Sequence, residues 1–259
     1  MTDTLLHQCH DGVLRLTLNR PDKLNAIDIP TLDGLIEALE TAENSADVRV
    51  IVLAGSGRSF CAGADIGQMI ERTPADWQRI VDHYLDPIRV ISRMGKPVIA
   101  RCHGNVFGGG LGLAMACDFR VASDDARFCT PFVKLALAGC DMASGYFLPR
   151  LIGLGRSTDM MMTARVVEAA EALAIGLVTQ VVPDDQLDAA VDELAGRLAA
   201  GAPNTTAFTK SAIRKSLDRD MEAEFDYEIF AQVQCLLSED HREGVAAFRE
   251  NRKPVFHGR

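Results

Sequence analysis

Two glycine-rich turns are the stretches whose residue types and spacing could do chemistry. The first is SFCAGADIG at 59–67 and the second is VFGGGLGLAMACD at 106–118, and each follows an apolar run and leads into a helix-like segment. A helix that starts at a turn leaves its first N–H groups without intrahelical partners. Such groups suit an anion or a developing negative charge, and glycine lets another group come close to the backbone. The turns therefore predict main-chain hydrogen-bond donors.

Neither turn matches a common nucleotide-binding motif. The dinucleotide fingerprint GxGxxG would need a glycine where Leu113 stands, and no Gly-Lys-Ser/Thr follows for a P-loop. Taken alone, the first turn could also be a plain strand-to-helix connection in which Asp65 caps the helix.

Asp141 is a carboxylate whose surroundings could make it a base. It lies in LALAGCDMASGYFLPR at 135–150, between small and apolar residues, where a carboxylate would be partly desolvated. Desolvation makes a carboxylate a stronger base. The alternative is that Asp141 caps a helix beginning near Ser144, and the two roles are compatible.

Other titratable residues are assigned structural roles. His103 and Asp118 border the second glycine turn and are interpreted as buried or helix-ending residues, and His83 as an exposed helix residue. Cys140 has no evident histidine partner, which a catalytic thiol would need.

The elements that must position these residues alternate between strands and helices, which predicts an α/β fold. The expected strands are 13–18, 48–57, 96–104, 118–123 and 177–183, and the expected helices are 29–44, 73–94 and 110–117. After about residue 184 the pattern is helical throughout, over 184–200, 203–218, 220–238 and 239–251. We therefore predict a core at 1–200 and a helical C-terminal region at 201–259.

Composition excludes several classes of protein. The chain has 259 residues and a formal net charge of −9, which argues against nucleic-acid or anionic-membrane partners. We expect no signal peptide, because the sequence does not open with basic residues followed by an apolar segment. No apolar run reaches the roughly 20 residues that a membrane span needs. The seven cysteines form no CxxC pair. We expect reduced thiols and a cytoplasmic protein.

Several stretches together resemble the crotonase superfamily, the enoyl-CoA hydratase/isomerase family. They are LTLNRPDKLNAID, SFCAGAD, GNVFGGGLGLAMACDFRVAS, FLPRLIG, EALAIGLVTQVVP and REGVAAFRENRKP, in that order along the whole chain. The resemblance implies a spiral of ββα units with a helical C-terminal trimerisation region. It further implies a homotrimer or a dimer of trimers, an acyl-CoA substrate, and no metal or redox cofactor.

The resemblance also assigns site residues. The amides of Ala64 and Gly109 would form an oxyanion hole around the thioester oxygen, and Asp141 matches a catalytic aspartate of some relatives. Substrate and CoA would contact Lys23, Leu24, Asn25, Arg58, Ala62, Asp65, Ile66 and Phe132, while Phe248 and Lys253, with Arg252, would reach the CoA of a neighbouring subunit.

Two glutamates that hydratases of the family use are absent. Their positions correspond to Gly112 and Phe132, neither of which can transfer a proton. We therefore favour double-bond isomerisation by the single carboxylate of Asp141. One alternative is hydration of a 2-enoyl-CoA by a rearranged site, and another is acyl-CoA binding with little catalysis.

Overall fold

The computed structural model of the protein describes residues 4–259. The strands are β1 (Leu5–His10), β2 (Val13–Leu18), β3 (Val50–Gly55), β4 (Val98–Cys102), β5 (Asn105–Phe107), β6 (Phe119–Ser123), β7 (Arg127–Cys129), β8 (Val167–Glu168) and β9 (Gln180–Val182). The helices are α1 (Ile29–Asn44), α2 (Pro74–Tyr84), α3 (Asp86–Arg93), α4 (Gly109–Ala116), α5 (Ser144–Ile152), α6 (Leu154–Thr163), α7 (Ala169–Ala174), α8 (Leu187–Ala199), α9 (Pro203–Lys215), α10 (Met221–Leu237) and α11 (Glu239–Glu250). Short 3₁₀ helices cover Pro21–Lys23, Ile66–Gln68, Pro131–Leu135 and Asp184–Gln186.

The chain alternates between two sheets. The large sheet has the order β1-β2-β3-β4-β6-β9 and the small one the order β5-β7-β8. From β2 onward the strands of the large sheet are parallel, and only β1 pairs with its neighbour in the antiparallel sense. From β4 to β7 successive strands alternate between the large and the small sheet, and after β8 in the small sheet the chain returns to the large one at β9.

The large sheet is buried on both faces at its centre. All six residues of β3 are buried, which explains their continuous apolar run. One face packs with α1, α3 and α4, and the other packs Val50 and Val52 against Leu187 and Val191 of α8. Packing from both sides fixes the carboxyl ends of β3 and β4, from which the two glycine turns follow.

The single helix predicted at 73–94 is wrong, because the structure divides it into α2 and α3 at Leu85. Pro87 lies in the first turn of α3 and has no N–H to donate, and its ring would clash with the preceding turn of a continuous helix. Arg89 compensates for the break by donating from Nη1 to the carbonyl oxygen of Asp82 over 3.0 Å.

His83, predicted to be exposed, is instead half-buried in a small ion-pair cluster. Its Nε2 lies 2.7 Å from a carboxylate oxygen of Asp33 on α1, and its Nδ1 lies 2.9 Å from one of Asp86 on α3. These bonds raise the pKa of His83, and the hydrogen bond to Asp86 is the largest single cause. The histidine thus ties α2 to both neighbouring helices.

Several short strands were not predicted. β1 buries one residue of six, and the strands of the small sheet have two or three residues each, so no apolar period marks them.

The helical character after residue 184 is as expected. However, α8 packs on the large sheet, and α10 packs on α9 and α11. The boundary at residue 200 stays a prediction.

Candidate active site

A cavity of about 600 Å³ opens between the first glycine turn, the start of α4, the face of α2 and the segment 131–142. Most of its wall is apolar. Its lining includes Ala64, Gly109, Phe132, Asp141, Met142 and Arg72. Apolar surroundings strengthen any polar interaction made inside the cavity.

The first glycine turn holds Ala64 between two backbone bonds. The amide of Ile27 donates to the carbonyl oxygen of Gly63, and that of Asp65 donates to the carbonyl oxygen of Ile27, each over 2.8 Å. Within residues 4–259 the amide of Ala64 itself has no protein acceptor. A φ of 110° at Gly63 explains why glycine stands there.

The second turn presents the first amide of α4. Gly108 has φ 52° and ψ −120°, a conformation that favours glycine, and its amide donates to the carbonyl oxygen of Cys129 over 2.9 Å. Gly109 follows as the first residue of α4 and is buried. Its amide has no acceptor in the part of the chain that the structure describes, as expected for the first turn of a helix.

The two turns meet at the cavity. A Cβ added to Gly63 would lie 3.3 Å from the amide nitrogen of Gly109, and one added to Gly109 would lie 3.7 Å from that of Ala64. Gly110 makes the contact possible, because a Cβ there would lie 2.3 Å from the carbonyl oxygen of Cys61. Two unpaired amides side by side are suited to donate to one ligand atom.

Position 112 is closed by Met142. A Cβ on Gly112 would lie 2.5 Å from the carbonyl oxygen of Met142 and 2.6 Å from its Cβ. Met142 is buried, with 3% of its surface exposed. The backbone at 142–143 is left-handed, with φ 50° at Met142 and 58° at Ala143. A side chain at position 112, where the family resemblance leads us to expect a glutamate, would therefore meet main chain.

Asp141 lies at the cavity immediately before this strained pair and is half-buried. Its Oδ1 accepts a hydrogen bond from the amide of Met142 over 2.8 Å, which leaves its other carboxylate oxygen without a protein partner in residues 4–259. Helix α5 begins at Ser144 as predicted, but Asp141 does not cap it, since the cap residue is Ala143 and no side chain bonds there.

Asp65 also borders the cavity but is occupied by Arg20. The guanidinium lies 2.9 Å from Asp65 and 3.1 Å from Asp28, and the second oxygen of Asp65 accepts from the amide of Gly67 over 3.0 Å. The Arg20 bond holds the pKa of Asp65 below its usual range. Asp65 therefore stays ionised and caps the 3₁₀ helix Ile66–Gln68, as its sequence position predicts.

Tyr84 is a poor proton donor in this cavity. Its hydroxyl donates to the carbonyl oxygen of Ile27 over 3.0 Å, and burial raises its pKa to about 12. It therefore stays neutral and anchors α2 against the first turn.

Sequence reasoning missed Arg72. The side chain lines the cavity from the loop before α2, with its guanidinium carbon 5.6 Å from the centre of the Trp77 ring. The only signal was a basic residue in ERTPADW ahead of an amphipathic helix.

The residues expected to bind CoA fall into three groups. Ala62, Asp65, Ile66 and Phe132 line the cavity, Lys23 and Arg58 are exposed outside its lining, and Phe248 and Lys253 belong to the C-terminal region. Phe248 is 87% exposed and borders a separate groove between α9, α10 and α11, whereas Arg252 is paired with Glu243 and Glu250.

Leu24 and Asn25 shape the turn beside the cavity through their backbones. Both have left-handed φ angles, 50° and 56°, and the carbonyl oxygen of Leu24 accepts from the amide of Ala62 over 3.0 Å. The Asn25 side chain is buried and donates to the carbonyl oxygens of Ser56 and Ser59 over 2.8 and 2.7 Å. The structure disfavours a direct contact between this side chain and CoA, because the polar atoms of Asn25 are already hydrogen-bonded within the protein.

A family model described as enoyl-CoA hydratase/isomerase matches residues 8–259. The chain belongs to the enoyl-CoA hydratase/isomerase family. A short-chain-enoyl-CoA hydratase from Clostridium acetobutylicum is 35% identical over 239 residues, 92% of this chain and 91% of its own. A trans-2-decenoyl-[acyl-carrier-protein] isomerase from Streptococcus mutans is 31% identical over 259 residues, 98% of each chain.

Solved structures of this family share the fold. An enoyl-CoA hydratase from Bacillus anthracis matches with a TM-score of 0.94 at 31% identity, covering 99% of this chain and 100% of its own. One from Mycobacterium smegmatis matches with a TM-score of 0.93 at 32% identity, covering 98% and 99%. The crotonase-like α/β fold with a helical C-terminal region is therefore confirmed, and the protein is an enzyme of this family.

Residues 4–259 contain neither a cluster of metal-ligating side chains nor a membrane-spanning helix. No group of three or more His, Cys, Asp or Glu residues is placed to hold a metal ion, and none of the helices combines the length and apolarity needed to span a bilayer.

Proposed function

We propose that the protein isomerises an unsaturated acyl-CoA, converting a 3-enoyl into a 2-enoyl thioester. Asp141 takes a proton from C2, and the electron pair of that C–H bond moves into the thioester, giving a dienolate. The same carboxyl group then returns the proton to C4, which leaves the double bond conjugated with the carbonyl. One base suffices because the proton leaves and returns on the same molecule.

The observation that carries this proposal is the closure of position 112 by Met142. A second carboxylate cannot stand there without moving main chain, and Phe132 fills the other expected position with an apolar ring. Asp65 is held by Arg20, so Asp141 is the carboxylate of the cavity wall that is free to exchange a proton.

The amides of Ala64 and Gly109 support the enolate chemistry. Fixed donors in an apolar site favour the charge that develops on the thioester oxygen, and each is commonly worth about 3–4 kcal/mol of barrier. Simple binding of a CoA ester would not need two unpaired amides beside each other, so the turns favour catalysis over the binding-only alternative.

Hydration of a 2-enoyl-CoA is the second candidate. The names of the relatives from Clostridium acetobutylicum and Bacillus anthracis favour it, whereas that of the Streptococcus mutans relative favours isomerisation. Hydration here would need water activated by Asp141 alone, because the two-glutamate arrangement has no room.

A spectrophotometric assay tests the proposal. With 3-hexenoyl-CoA the absorbance of the conjugated thioester should rise, whereas loss of absorbance with 2-hexenoyl-CoA would instead show a hydratase. Asp141→Asn should lower the isomerisation rate by about a hundredfold or more, the usual range for loss of a general base. Asp185→Asn, an exposed aspartate outside the cavity, is the matched control. Full activity of the Asp141 variant would contradict the assigned role, and CoA-ester binding without either reaction would favour the binding protein.

We propose that the chain self-associates into a trimer, or a dimer of trimers, through its C-terminal helices. Helix α10 buries none of its residues within the chain, although Ile229, Val233 and Leu237 are apolar and 44–70% exposed. Surfaces of this kind are usually covered by a partner. Light scattering should give a multiple of the 28.1 kDa chain mass, and Ile229→Glu should reduce it. A monomer at micromolar concentration would contradict this assembly. It would also contradict the expected contact of Phe248 and Lys253 with the CoA of a neighbouring subunit. A cytoplasmic location stays a prediction.

A further inference from the structure

Arg72 is a cation in an apolar cavity that nothing in residues 4–259 neutralises. It is the sole Lys, Arg or His among the residues lining the cavity, and it forms no ion pair within the described chain. Its Nε is fully buried without a hydrogen-bond partner, and its Nη2 makes one long bond of 3.4 Å to the carbonyl oxygen of Gln68.

A cation in these apolar surroundings destabilises the protein unless a ligand of opposite charge pairs with it. A buried N–H without an acceptor loses its hydration and gains nothing in return. The cavity wall holds two acids: Asp65 is paired with Arg20, and Asp141 forms no ion pair with Arg72 in the described residues. The ring of Trp77 stacks near the guanidinium and restricts it, but a ring offers no acceptor for Nε.

The free edge of the guanidinium defines the missing group. Nη1 forms no hydrogen bond in the described residues and, unlike Nε, is not closed off by protein atoms, so the end of the planar fork formed by Nη1 and Nη2 fits the two oxygens of a carboxylate. The cations expected to meet the phosphates of CoA, Lys23 and Arg58, are exposed and do not line the cavity. Arg72 instead shares the cavity with Trp77, Ile80 and Val81 of α2, an apolar wall suited to an acyl chain.

We propose that Arg72 binds a carboxylate at the far end of the acyl chain, so that the substrates are mono-CoA thioesters of dicarboxylic acids. The inference rests on the proposed function, since it places the acyl group in the same cavity. It adds the substrate class and a specificity-determining residue.

Binding of saturated thioesters tests the proposal without any turnover. The probes are butanedioyl-, hexanedioyl- and octanedioyl-CoA, each compared by calorimetry with a thioester in which an isopropyl group replaces the terminal carboxylate at the same chain length. At least one dicarboxylic probe should bind about tenfold or more tightly than its isopropyl partner, as a charge-assisted pair in an apolar site predicts.

Arg72→Met should abolish this preference while leaving the affinity for the isopropyl thioesters within about twofold. The matched control is Arg79→Met, which removes an arginine of α2 that is 78% exposed and paired with Asp76, and which should keep the preference. Thermal melts of both variants exclude unfolding as the cause.

Two results would overturn the inference. One is the absence of a preference above twofold at all three chain lengths in the unmodified protein. The other is an equal loss of affinity for free CoA and for every thioester in Arg72→Met, which would place the guanidinium on a CoA phosphate. Failure of the isomerase proposal would show only in the turnover assay. The binding comparison involves no turnover, so the two proposals can fail separately.

Discussion

The carbonyl oxygen of Met142 occupies the space next to the α-carbon of Gly112, 2.5 Å from where a Cβ would lie. Residues 30 positions apart in sequence thus share one site, and the main chain of the later residue determines what the earlier one can be. A backbone oxygen cannot rotate away as the end of a flexible side chain can. The path of the segment 141–143 therefore leaves no room for a larger side chain at position 112.

Gly112→Ala should destabilise the protein by about 1–3 kcal/mol, because overpacking a buried contact forces the backbone to shift. For a chain of this size that corresponds to a fall of several degrees in Tm, measured by calorimetry. Gly155→Ala is the control, since a Cβ there meets nothing within 4 Å. Equal melting temperatures of the Gly112 variant and the unmodified protein would show that the contact is looser than described.

Restoring the glutamate should not create a hydratase. Gly112→Glu combined with Met142→Ala removes the Met142 side chain but keeps its carbonyl oxygen, so the new carboxylate still lacks space. We expect no gain in hydration of 2-hexenoyl-CoA, followed by loss of thioester absorbance. A clear gain, with a well-folded protein, would mean that the segment 141–143 relaxes easily.

Arg20→Met should lower both stability and activity. The guanidinium lies between Asp28 and Asp65, whose side chains are 14% and 17% exposed, and its removal leaves two close carboxylates uncompensated. Breaking such a pair commonly costs about 3–5 kcal/mol, and loosening Asp65 disturbs the adjacent amide of Ala64. Arg15→Met removes pairs to Asp188 and Asp192, which are 62% and 64% exposed, and should change little. A fall in Tm with unchanged kcat/KM would separate Arg20 from the site.

The His83 cluster predicts a stability that depends on pH. Because the bonds to Asp86 and Asp33 raise the pKa of His83 above its usual 6.5, the folded state holds this proton more tightly than the unfolded state. The resulting stabilisation is fully present below pH 6.5 and disappears as the pH rises through the higher folded value. The difference in Tm between the unmodified protein and His83→Gln should therefore be larger at pH 6 than at pH 9. The same difference at both values would contradict the cluster.

The main elements and both turns followed from local patterns that the sequence displays. Apolar runs marked β3 and β4, and the glycines at 63 and 108–110 marked chain reversals with bare backbone. Pro87 carried enough information to break the helix at 73–94, because proline has no N–H. The short strands of the small sheet carry no period and depend on neighbours distant in sequence.

Features of the site that were not predictable arise from tertiary contacts. That Met142 closes position 112 depends on two left-handed residues that are not glycine, which sequence gives no reason to expect. That Arg72 lines the cavity depends on the path of the loop before α2, which places its guanidinium carbon 5.6 Å from the centre of the Trp77 ring. The prediction that His83 is exposed failed because its partners, Asp33 and Asp86, lie on other helices.

The carboxylate of Asp118, which follows α4, also bonds to residues far along the chain. It accepts from the amide of Val98 and pairs with Lys210 and Arg214 of α9, at 2.8 and 2.9 Å. During synthesis at about 5–20 residues per second, roughly 5–20 seconds separate the addition of Asp118 from that of Arg214. A nascent chain on the ribosome therefore contains both glycine turns and Asp118 before Lys210 and Arg214, the cations that pair with this carboxylate, have been added.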